Sequence, residues 1–125
     1  MRRPVATMAA LGALFAFAPS RAADAPINYM ILGEGALSCG TWTSHRHSAD
    51  AYENAMTAWV LGFITAGNSW ESILHRRNLS EGTDSDGLFG WIDNYCTAHP
   101  LEDLSSAAMA LELELINRHE GAAPK

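Results

Sequence analysis

An all-α fold, a small bundle of three to four helices behind an irregular amino-terminal segment, follows from three features of the sequence. Two stretches, Asp50 to Gly67 and Gly87 to Pro100, carry apolar residues at the three-and-four spacing that lines one face of a helix. A third, Leu101 to His119, repeats the pattern. The chain also holds only two cysteines, Cys39 and Cys96, so one disulfide would tie the start of the folded part to the second of these helices.

The first 22 of the 125 residues read as a cleaved signal peptide. Arg2 and Arg3 give a positive start, Met8 to Ala18 an apolar core, and Ser20-Arg21-Ala22 a small-residue cleavage site. That core is too short to span a bilayer as a helix. The expected product is a periplasmic protein with one domain over residues 23–120, a tail over 121–125 and no membrane partner after cleavage. In an oxidising compartment two cysteines allow a single intramolecular bond, worth roughly 4 kcal/mol for a loop of this length. Zinc ligation or two free thiols are the alternatives.

Charge excludes some partners. From Ala23 onward, five cationic side chains stand against fourteen carboxylates, a net of −9. Nucleic acid and anionic membrane surfaces are poor partners for such a chain. Strong acid reverses the sign, because the carboxylates become neutral and His45, His47, His75, His99 and His119 become charged. Any acidic protein does something similar.

Taken in order, Tyr29 to Gly40 is a short apolar run broken by Gly33 and Gly35, and it reads as irregular backbone covering one end of the core. Thr41 to Ser48 is polar apart from Trp42, which is placed to pack beside the disulfide. Asp50 and Glu53 form a capping-box-like pair at the start of the strongest helix, whose inward face comprises Tyr52, Ala55, Met56, Trp59, Val60, Phe63 and Ile64. Gly67 and Asn68 supply a left-handed stop, and Gly62 inside the helix implies close packing by another element. Trp70, Ile73 and Leu74 extend this as a further helical turn, and Asn78 to Asp86 is a polar loop, the first place to look for binding. Asp86 caps the next helix, with Leu88, Trp91, Ile92, Tyr95 and Cys96 on one face, and His99 before Pro100 ends it. The last helix carries Leu101, Leu104, Ala108, Leu111 and Leu115 on one stripe, with acidic residues at its start and Arg118 and His119 at its end.

Catalytic and metal chemistry find little support. His45 and His47 are spaced to chelate a metal from an extended strand, but no acidic or cysteine ligand lies nearby in sequence, and a polar loop explains them. Asp84-Ser85-Asp86-Gly87 resembles part of a calcium loop that fails at both ends, with Gly82 at the first position and Asp93 at the twelfth. Neither Ser38 nor Ser69 sits in a nucleophile elbow. No enzyme, metal or cofactor is therefore expected. Of the tryptophans, Trp42 and Trp70 adjoin loops and are candidates for partner contact, while Trp59 and Trp91 fall on inward stripes.

The Cys39-Gly40-Thr41-Trp42 context, the helix AWVLGFITAGN and the join WIDNYCTAHPLEDLSSAA together resemble the HdeA/HdeB-like group of small exported bacterial proteins. That resemblance covers most of the mature chain. It implies a helical periplasmic domain, a Cys39–Cys96 bridge, and an apolar surface from the Trp59/Phe63 helix used as an acid-stress chaperone. Members of the HdeA type are lysine-rich, whereas Lys125 is the only lysine after the leader. The helix end Gly62-Phe63-Ile64-Thr65-Ala66-Gly67 and the His99-Pro100 join also resemble Tai-type immunity proteins of bacterial type VI secretion, whose carboxyl-terminal cysteine pattern is absent here. The expected function is protein binding: an HdeA-like chaperone first, an immunity protein neutralising one toxin second, with Trp42, Trp70, Trp59 and Phe63 as contact residues. Unfolded clients, one toxin and a second copy of the chain are the partners this admits.

Overall fold

The computed structural model describes residues 29–122; residues 1–28, on which the expected signal peptide and lead-in fall, and residues 123–125 lie outside them. A 3-10 turn over Gly33–Ala36 precedes four helices: α1, Cys39–His45; α2, Ala51–His75; α3, Ser85–Ala98; and α4, Leu104–Ala122. No strand occurs among the described residues, and a disulfide joins Cys39 to Cys96.

Each helix starts on a side chain that takes up an otherwise unpaired N–H. Ser38 accepts from the Thr41 N–H at 3.1 Å and Asp50 from Glu53 at 2.8 Å. Asp84 accepts from Gly87 at 2.9 Å and Asp103 from Ser106 at 2.8 Å. Glu53 reaches back past the cap to the N–H groups of His47 and Ala49, which fixes the tight turn between α1 and α2. Gly67 of α2 lies against Glu112 of α4, and further along Arg77 meets Glu120, so these two helices run in the same direction and end together. Helix α3 runs back from that end to the disulfide. Between them sit Trp42, Met56, Val60, Ile64, Ile92, Leu104, Leu111, Leu115 and both cysteines, all buried.

Several expectations are corrected. Thr41 to His45, to which no helix was assigned, belong to α1, and Trp42 is buried in the core instead of facing a partner. Helix α2 does not stop at Gly67-Asn68: the Asn68 side chain accepts the Leu79 N–H at 2.7 Å instead of turning the backbone, and the helix ends at Arg76 in the left-handed conformation. Asp84, not Asp86, caps α3. Tyr52 and Leu101, assigned to inward stripes, are exposed, Leu101 because the chain is still in the turn before α4.

The glycines also differ from expectation. A methyl group on Gly62 would meet nothing within 4 Å, whereas one on Gly35 would lie 2.1 Å from the Trp59 ring. Gly62→Ala is therefore expected to raise stability by up to about 1 kcal/mol through helix propensity. Gly35→Ala should lower it by about 1 to 3 kcal/mol, because Trp59 must give up its 2.7 Å hydrogen bond to the Leu32 carbonyl or the turn must move. Paired thermal melts check both signs.

Candidate functional site

Helix α2 is longer than the core beneath it. Its buried residues are Met56, Val60 and Ile64, and none of its later residues is buried. The last turns thus overhang the domain and carry Trp70, Ile73 and Leu74, which are 63%, 69% and 63% exposed. At three-and-four spacing these three share one side of the helix, so the apolar area is contiguous.

The overhang is braced from below. Glu71 accepts from Arg77 at 2.7 Å and pairs with His75 at 3.0 Å, and Arg77 reaches Glu120 of α4 at 3.5 Å. Burial pushes the Glu71 carboxyl up, but the His75 and Arg77 partners outweigh it and hold the group below the usual range. Glu112, pressed against Gly67, shows the opposite balance: desolvation, with Glu71 nearby, raises its pKa. Beside the overhang, a cavity of about 270 Å³ opens between the loop before α3 and the end of α4, lined by Leu79, Glu81, Gly82, Leu115, Arg118 and His119. Arg76 and Arg118 form no ion pair among the described residues.

Family models, curated proteins and solved structures all lack a match to this chain. What the surface can do is argued from its own side chains.

Of the four residues expected at a partner surface, the structure exposes one. Trp70 lies on the overhang, with Ile73 and Leu74, which were noted in sequence but not singled out. Trp42 is fully buried and unavailable to a partner: its indole N–H donates to Asp93 at 2.7 Å, and its ring lies under the Arg46 guanidinium. Trp59 and Phe63 are stacked on each other and half-buried, Trp59 under the Gly33–Ala36 turn. They do not join Trp70 in one face. A second exposed apolar group lies at Tyr29, Met30, Met109 and Leu113, where the Tyr29 hydroxyl donates to the Met109 sulfur.

The residues weighed for chemistry occupy structural posts. The His45 ring pairs with the α2 cap Asp50 at 2.7 Å and lies over Tyr52, while the His47 N–H bonds Glu53. No group of three or more metal-ligating side chains occurs among the described residues. Ser38 and Asp84 are caps, and the Ser69 hydroxyl donates to the Thr65 carbonyl. Arg46 is held between Glu53 at 2.8 Å and Asp93 at 3.0 Å, which ties α2 to α3 beneath α1.

Acid reaches the Asp50 cap late. The Glu53 N–H and the His45 ring lower the Asp50 pKa from 3.8 to about 2. Such a carboxyl stabilises the fold above its unfolded pKa and loses that contribution as pH falls through its folded one. The melting temperature is expected to drop between roughly pH 4 and 2. Asp50→Asn keeps a capping oxygen and should show a shallower drop in melts taken across that window; identical slopes would remove Asp50 from the acid response.

Proposed function

We propose that the chain is an exported, non-enzymatic binding protein whose working surface is the overhanging end of α2. The observation that carries this reading is the contiguous exposure of Trp70, Ile73 and Leu74 on a helix that outruns its core. Large apolar side chains held on a braced helix supply contact area with little ordering cost, which suits the capture of another protein.

Of the two uses that the resemblances imply, the geometry favours capture of one partner at neutral pH, the immunity-protein use. The apolar face is open while the core is closed and Asp50, Glu53, Glu71 and Asp103 hold their carboxyl pKa values below the ordinary range. Such a face requires no acid step to open. The HdeA-like chaperone is the second reading, and those same carboxylates support it, since caps that stay ionised in moderate acid keep the domain folded where clients unfold.

Two experiments separate the uses. Mixed with a secreted toxin encoded beside its gene, the protein is expected to form a one-to-one complex at neutral pH, and Trp70→Ser should weaken it by at least tenfold, about 1.4 kcal/mol. Light scattering of an aggregating client in strong acid and at neutral pH tests the other: suppression confined to acid selects the chaperone. Failure to bind either partner or client overturns protein binding altogether.

A further inference from the structure

Charge is distributed unevenly about the overhang. Beyond Asn68 of α2 and Leu115 of α4, with the loop between α2 and α3, stand Arg76, Arg77 and Arg118 against Glu71, Glu81, Asp84 and Glu120. The remaining described residues hold Arg46 alone against nine carboxylates. Arg77 is occupied by Glu71 and Glu120, which leaves Arg76 and Arg118 as the cations without an ion pair among the described residues. His75 and His119 add protonatable donors at the same end, and Glu112 marks its acidic boundary on α4. An acidic partner approaching any other face meets net repulsion; at this end it meets near-balanced charge, the guanidinium groups of Arg76 and Arg118, and an apolar surface.

Building on the protein-binding reading, we infer that this end docks a protein segment that presents apolar side chains flanked by carboxylates. Its apolar side chains lie on Trp70, Ile73 and Leu74, and one enters the cavity floored by Leu79 and Leu115. Its carboxylates meet Arg76 and Arg118, whose planar forks suit bidentate pairing. The pattern combines aromatic and arginine anchors with complementary charge, as protein interfaces do.

The test uses the exported, oxidised protein labelled with nitrogen-15 and two synthetic amphipathic peptides with the same apolar face, one flanked by glutamate and one by lysine. At neutral pH the acidic peptide is expected to bind at least about tenfold more tightly than the basic one, with amide shifts confined to residues 68–82 and 115–121. The double variant Arg76→Glu/Arg118→Glu should invert the preference; Arg76→Gln/Arg118→Gln, with far-ultraviolet circular dichroism as the folding control, should abolish it. Equal or stronger binding of the basic peptide, or shifts elsewhere, overturns the inference. So does arginine-dependent sedimentation with phosphatidylglycerol vesicles in place of peptide binding, which assigns the end to a membrane, or patch shifts that depend on protein concentration, which assign it to a second copy. If the acidic peptide fails while a toxin or client binds, only this inference falls. If all fail, the protein-binding reading falls with it.

Discussion

Replacing Trp42 with alanine is expected to destabilise the protein by about 3 to 5 kcal/mol, the usual range for removing a buried large aromatic. Trp42 is fully buried on a helix of only seven residues, and it fastens that helix to the rest of the domain. Its ring packs 6.1 Å from Phe89 of α3 and 5.4 Å beneath the Arg46 guanidinium. Its N–H donates to Asp93, the carboxylate that also holds Arg46 at 3.0 Å. Truncation therefore leaves a void, removes a donor from Asp93 and uncovers an arginine whose side chain is only 15% exposed. A domain of this size has about 5 to 15 kcal/mol in all, so the loss is a large share of it. Urea unfolding of Trp42→Ala and Trp42→Phe measures the effect; the phenylalanine variant, which refills part of the volume, should lose less. An alanine penalty below about 1 kcal/mol would contradict the central place of this residue.

What the sequence made legible, and what it did not, divides along the range of the interactions. The middle of α2, α3 and α4 were readable because Met56, Val60, Ile64, Leu88, Ile92, Leu111 and Leu115 repeat with the helical period and are buried. Helix α1 has one large apolar side chain among polar neighbours, so its burial depends on Phe89 and Asp93, far off in sequence, and no local pattern shows it. The length of α2 was hidden for a similar reason. Gly67-Asn68 looks like a stop, yet Gly67 is where Glu112 comes close and Asn68 holds the next loop through the Leu79 N–H. That error obscured the overhang, because a stop at Gly67-Asn68 separates the further helical turn of Trp70, Ile73 and Leu74 from α2, although Trp70 itself was a contact candidate. The overhang arises from the mismatch between the length of α2 and the extent of the core, which is a property of the assembled fold.

Opening the disulfide by Cys96→Ala is expected to cost about 4 kcal/mol, within a range of about 2 to 5. The two cysteines are separated by 57 residues, and in the chain-entropy account a loop of that length restricts the unfolded state strongly. Native contacts at the same place make the bond more than a chain constraint. The N–H groups of Cys39 and Gly40 donate to the carbonyls of Glu102 and Pro100, and the Leu104 N–H donates to Leu37, so α1 and the join between α3 and α4 are laced together around the sulfur pair. Both cysteines are fully buried, which protects the bond from reductant while the protein is folded. Two consequences separate these contributions. Cys39→Ala and Cys96→Ala should lose similar stability, and the double variant little more than either, because each single change already removes the bond. The loss should be concentrated at the disulfide end: amide exchange should accelerate first in α1 and around Glu102, while the overhang of α2, braced by Arg77 and Asn68 at the opposite end, keeps its protection. Equal melting temperatures for wild type and Cys96→Ala would show that the hydrogen-bonded join, not the covalent bond, holds that end closed.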